Sequence, residues 1–121
     1  MPGYQELKVW QIGVQVSVDV YRLTEAFPKT EIYGLTSQIR RAAVSIPSNI
    51  AEGHERDTTK DYLRFLSIAR GSLAELETQL LVANRLNFVE QSQLNDLLST
   101  LDSLSRMIRN LQKALRQKLS E

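Results

Sequence analysis

Cysteine is absent from the 121-residue chain, and histidine occurs once, at His54. The first absence excludes disulfides, thiolate nucleophiles and cysteine-ligated metal. The second excludes His-clustered zinc and most His-based acid–base chemistry. The five glycines, at 3, 13, 34, 53 and 71, are isolated from one another, so no phosphate-cradling loop exists and nucleotide binding of that kind is not expected. Aromatic residues make up only 7% of the chain, and no stacking motif of the RRM or OB type is visible. No apolar run approaches the ~20 residues of a membrane span, so no membrane partner is expected. The opening Met-Pro-Gly-Tyr-Gln-Glu lacks the basic start and apolar core of a secretory signal, which predicts a cytoplasmic location. A single-sign charge excess is also missing. Fifteen Lys and Arg face 14 Asp and Glu, a net charge of +1, which is not the balance of a dedicated nucleic-acid binder.

What is present is a globular mixture, 42% hydrophobic and 24% charged, of a size for one domain over residues 1–121. Helical periodicity dominates it. In 59–86, Tyr62, Leu66, Ala69, Leu73, Leu76, Leu80 and Ala83 alternate at spacings of four and three, which holds one stripe against partner helices. Leu63, Phe65, Ile68, Leu81 and Val82 widen that stripe, and Thr58-x-x-Asp61 resembles a capping box at its start. In 91–119, Leu94, Leu97, Leu101, Leu104, Ile108, Leu111 and Leu115 repeat the pattern. The link Leu86-Asn87-Phe88-Val89 is short, and Asn87 suits the left-handed residue that ends a helix. A short link makes the two helices antiparallel neighbours.

A third amphipathic segment, 35–52, carries Leu35, Ile39, Ala43, Ile46 and Ile50, with Pro47 inside it and Gly53 as its expected terminator. The first segment, 6–26, is ambiguous. Val14, Val16, Val18 and Val20 alternate as in a strand. Two helical faces compete with that pattern, one through Leu7, Trp10, Val14 and Tyr21, the other through Val9, Ile12, Val16, Val20, Leu23 and Phe27. The run is long for a strand and has no second strand to pair with, so a helix stopped before Pro28 is expected. Trp10 belongs either to the core or to a subunit interface. The expected fold is all-α, an antiparallel up-down four-helix bundle.

The middle of the chain carries the string Arg40-Arg41-Ala42-Ala43-Val44-Ser45-Ile46-Pro47-Ser48-Asn49-Ile50-Ala51-Glu52-Gly53, preceded by Tyr33-Gly34-Leu35 and followed by Ile68-Ala69-Arg70-Gly71-Ser72 and Glu75. This string resembles the bacterial 23S rRNA intervening-sequence proteins. The resemblance implies a four-helix bundle that assembles into homopentameric rings. It also relates the chain to the accessory proteins of diversity-generating retroelements, which bind nucleic acid and a reverse transcriptase. The family name comes from the location of its reading frames, so the resemblance implies fold and assembly more than activity.

Polar residues offer few tools. Gln38, Arg41, Ser45, Asn49, Glu52 and Arg56 line one side of the third segment, and Arg64, Ser72, Glu75 and Gln79 belong to the next. They either satisfy one another across helices or subunits, with Arg41 pairing Glu75, or form a groove for a phosphate or small polar ligand. Arg40 falls on the rim or on an assembly or nucleic-acid surface. Gly71 inside a helix implies a close helix–helix approach. His54 reads as an exposed residue after the helix, and no metal or cofactor site is defined. No nucleophile–base pair is discernible, so no catalytic residue is assigned.

The last helix is more telling. Residues 106–121 hold Arg106, Arg109, Lys113, Arg116 and Lys118 against Glu121 alone, whereas 71–105 hold Arg85 against Glu75, Glu77, Glu90, Asp96 and Asp102. Arg106, Arg109, Lys113 and Arg116 make one basic stripe. Such a stripe is an ordinary solvated helix end favoured by the dipole, or a phosphate-binding surface. The reading favoured here is a non-catalytic oligomeric module that offers these residues, with Arg40 and Arg41 second, to RNA, DNA or a protein bound to nucleic acid. The competing reading is a structural or protein-interaction scaffold without nucleic-acid affinity.

Overall fold

A computed structural model describes residues 3–120. Four helices account for most of it: α1 at Lys8–Thr24, α2 at Leu35–His54, α3 at Thr59–Arg85 and α4 at Gln91–Ser120. Single 3-10 turns at Tyr4–Glu6 and Lys29–Glu31 lead into α1 and α2. The chain is an up-down four-helix bundle in which α1 packs on α2, α2 on α3, α3 on α4 and α4 back on α1. Among the described residues there is no strand, so the valine alternation of the first segment lies on a helix.

The ends of the helices follow from local chemistry. The Thr58 hydroxyl accepts from the Asp61 N–H at 3.1 Å and caps α3. At the other end of α3, Asn87 has φ 64°. Phe88 N–H donates to Ala83 O at 2.9 Å, and Asn87 N–H donates to Asn84 O at 3.0 Å. This pair of bonds is a Schellman ending, and it folds α4 back against α3. The Glu31 carboxylate accepts from Leu35 N–H at 3.1 Å at the head of α2, and Gln93 Oε1 accepts from Glu90 N–H at 3.2 Å at the head of α4.

The core is the set of stripes turned inward. Val16, Val20, Ile39, Ala43, Ile46, Ile50, Leu66, Ala69, Leu76, Leu80, Leu101, Leu104 and Ile108 are all buried. Of the two competing faces of the first segment, the one carrying Val9, Val16 and Val20 on α1, and Phe27 just beyond it, enters the core. Leu111 and Leu115 are only half-buried, although Gln112 between them is fully buried against α3. The broader part of the α3 stripe does not stay together. Phe65 is buried, whereas Ile68, Leu81 and Val82 lie exposed.

Pro47 is accommodated by α1. Proline has no N–H for the carbonyl four residues back, at Ala43. Ser17 of α1 shares its hydroxyl proton between Gly13 O at 3.0 Å and Ala43 O at 3.2 Å. α2 therefore passes through Pro47 unbroken. Gly13 makes room for the ring, since a Cβ there would fall 3.2 Å from Pro47 Cβ. Gly53 has a similar role and does not terminate its helix, which continues to His54. A Cβ at Gly53 would fall 2.6 Å from Phe65 Cβ, so glycine allows the turn between α2 and α3 to close. The expectation for Gly71 is not met within the chain. A Cβ there would meet nothing within 4 Å, and no helix of the bundle approaches it closely.

Candidate nucleic-acid interface

α4 extends along α3 and carries its cations away from the core. Arg106, Arg109, Lys113 and Arg116 are all exposed. Ten residues at 1.5 Å each spread them over about 15 Å. Arg106 reaches Asp102 at 3.3 Å, one turn back, and approaches the Ser103 hydroxyl at 3.5 Å. Among the described residues, Arg109, Lys113 and Arg116 have no carboxylate within 4 Å.

Arg40 and Arg41 are not brought to this surface. They lie on α2, which is diagonal to α4 across the core. The Arg40 Nε donates to Thr24 Oγ1 at 2.8 Å, its Nη2 donates to Tyr21 O at 3.4 Å, and its guanidinium sits 4.5 Å from the Tyr21 ring centroid. Arg40 thus ties α2 to the carbonyl end of α1, where a cation is favoured by the helix dipole. Arg41 is exposed. It lines a groove with Gln38, Glu75 and Gln79, but the expected Arg41–Glu75 ion pair does not form within 4 Å.

Ser45, Asn49, Glu52 and Arg56 of the polar stripe on α2 find partners close by. The Ser45 and Ser72 hydroxyls meet at 2.9 Å across α2 and α3. Asn49 Nδ2 donates to Ser45 O at 2.7 Å and to Ser45 Oγ at 2.9 Å. Arg56 pairs with Glu52 at 2.9 Å, and Arg56 and Arg64 both lie over the Phe65 ring. His54 is half-buried rather than exposed. Its Nδ1 lies 3.2 Å from Glu55 Oε2, and its ring meets Tyr62 edge-on at 5.7 Å. Burial pushes the Tyr62 phenol up from its ordinary value of 10.0, and the Tyr62 hydroxyl has no partner.

One residue that sequence reasoning passed over, Gln112, lies behind the basic stripe. Gln112 is fully buried. Its Nε2 donates to Ser67 Oγ at 3.0 Å and to Leu63 O at 3.5 Å, and its Oε1 accepts from Arg70 Nη1 at 3.3 Å. One signal for it was available: Gln112 occupies the slot four residues after Ile108, where the inward stripe continues.

An open apolar groove of about 790 Å³ lies on the opposite side, between α1 and α2, with Trp10, Val14, Val18, Tyr21, Val44 and Pro47 in its walls. It holds the face of α1 that the core does not use. Trp10 is half-buried there, with its ring 5.4 Å from that of Tyr4. Among the described residues no helix is long and apolar enough to cross a membrane.

The fold is shared with a solved structure, the crystal structure of a protein of unknown function from the S23 ribosomal protein family of Bacteroides thetaiotaomicron. The two align with a TM-score of 0.78 at 19% sequence identity, over 87% of this chain and 98% of that one. No curated protein matches the chain. The family model of the 23S rRNA-intervening sequence proteins matches residues 5–110, which takes in α1, α2, α3 and most of α4. With the arginine–alanine string of α2 and the bundle both in place, the chain belongs to the 23S rRNA-intervening sequence protein family.

Proposed function

We propose that this protein is a non-catalytic oligomeric module that presents the basic face of α4 to the phosphate backbone of RNA or DNA, or to a protein already bound to nucleic acid. The observation that carries the reading is the exposure of Arg109, Lys113 and Arg116 on one helix face with no carboxylate within 4 Å among the described residues. Uncompensated cations in a row attract a polyanion and release its counterions on contact. Arg106 contributes less, because Asp102 already neutralises it in part. Arg41 is a secondary contact, and Arg40 ranks last because Thr24 and Tyr21 hold it. The homopentamer implied by the family resemblance would repeat the stripe five times and concentrate its field. The reading places the protein in the cytoplasm, with RNA as the first partner to test.

A protein-interaction scaffold is the second reading, favoured by the apolar groove of α1 and α2. Exposed apolar patches of this kind mark protein contacts.

The discriminating experiment is a salt titration of binding to single-stranded RNA. Affinity should fall steeply with salt, with a log–log slope of about −0.7 per phosphate neutralised. Changing Arg109, Lys113 and Arg116 together to Gln should flatten that slope by about two for each engaged protomer. Absence of binding at low salt would reject the nucleic-acid reading in favour of the scaffold. Light scattering tests the assembly, and a monomer at micromolar concentration would reject the ring.

A further inference from the structure

α3 carries a glycine that its own bundle does not use. Glycine is among the poorest helix formers, and Gly13 and Gly53 each have a packing reason to be glycine, against Pro47 and Phe65. Gly71 has none inside the bundle, since nothing lies within 4 Å of the Cβ it lacks. The space left by the missing side chain opens onto a groove of about 440 Å³ between α3 and α4, lined by Ser67, Arg70, Gly71, Glu77, Ser105 and Arg109.

The polar groups around that groove form a set. Arg70 comes from α3 and Arg109 from α4, and among the described residues neither has a carboxylate within 4 Å. Arg70 is held in place by Gln112, which is itself fully buried and bonded to Ser67 and Leu63. The Arg70 Nε is buried without an acceptor. Two guanidinium groups and two serine hydroxyls on facing helices are the donor set that phosphate oxygens take. Glu77 is the one carboxylate among these lining residues. With it the groove carries one net positive charge, which matches a singly charged phosphodiester better than a doubly charged monoester.

We propose that the α3–α4 groove beside Gly71 seats one phosphate, with Arg70 and Arg109 as its donors and Gly71 keeping the approach open. The inference rests on the nucleic-acid reading of α4 for the source of that phosphate, and it names the place where one phosphate of the strand is held. Arg109 belongs to both surfaces and joins the groove to the stripe. The Arg70–Gln112 bond makes this a positioned donor, unlike the free side chains of Lys113 and Arg116.

The test is a titration of the ¹⁵N-labelled full chain with a short single-stranded RNA and, separately, with inorganic phosphate, followed at the Gly71 amide and the Arg70 Nε–H. RNA should shift both resonances. Arg70→Lys and Gly71→Gln should each weaken RNA binding by about tenfold, the loss expected for one charge-assisted contact, and Gly71→Gln should melt no lower than the parent. Glu77→Gln should tighten binding, because it removes the opposing charge. RNA binding that leaves Gly71 and Arg70 unshifted, or that Gly71→Gln does not weaken, overturns the groove and leaves the α4 stripe standing. Phosphate shifts without RNA binding support the groove with free phosphate as the source and overturn the nucleic-acid reading. No response to either probe overturns both.

Discussion

The hydroxyl of Ser17 lies 3.2 Å from the carbonyl of Ala43, the acceptor that Pro47 leaves without its helical donor. A residue on one helix thus completes the hydrogen bonding of another, at a seam where both are buried. Ser17→Ala should cost about 1–2 kcal/mol, because the Ala43 carbonyl is left unpaired. In a Pro47→Ala background the backbone N–H returns, and the same change should cost measurably less. A double-mutant cycle by chemical denaturation reads the difference, and strict additivity would contradict the account.

The glycines separate into opposite behaviours. Gly13→Val has to push against the Pro47 ring, 3.2 Å away from the position of its Cβ, and should destabilise by about 1–3 kcal/mol. Gly71→Ala meets no neighbour and should stabilise by up to about 1 kcal/mol through helix propensity. Thermal melts of the two variants should move in opposite directions.

Gln112 closes the network behind the basic face. Gln112→Ala opens a hole at a fully buried position and takes the acceptor from Arg70 Nη1. A loss of about 2–4 kcal/mol is expected. For comparison, truncating the fully buried Leu76 or Leu104 to Ala should cost about 2–5 kcal/mol. Urea midpoints at constant m-value check both.

Tyr62 gives the bundle an alkaline limit. Its phenol is harder to ionise in the folded chain than its ordinary value of 10.0, so folded and unfolded forms bind the same proton below pH 10. As pH rises beyond that, the unfolded chain releases the proton first, and stability falls until the folded phenol ionises too. Tyr62→Phe should make the alkaline decline shallower without lowering the melting temperature at neutral pH, since the hydroxyl has no partner to lose. Melting curves from pH 7 to 11 on both proteins measure this.

The helices were legible because their causes are local. The spacing of Leu73, Leu76 and Leu80, the hydroxyl of Thr58 before Asp61, and Asn87 at a tight turn each act within a few residues. The basic stripe of α4 was legible for the same reason, since cations three and four apart share a helix face. Arg40 was not, because the Thr24 and Tyr21 groups that hold it lie 16 and 19 residues away.

The sequence by itself determined four amphipathic helices, the cap at Thr58, the left-handed end at Asn87 and the segregation of charge along the last helix, because apolar periodicity and backbone capping operate over one or two turns. Tertiary structure decided which valine face of α1 enters the core, that Gly13 and Gly53 are crowded while Gly71 is open, and that Gln112 anchors Arg70 beside Arg109. These outcomes depend on the axial register between helices. That register is set by side chains interlocking across separations of 26 residues at Ser17–Ala43 and 45 at Ser67–Gln112, a distance over which no local pattern carries information.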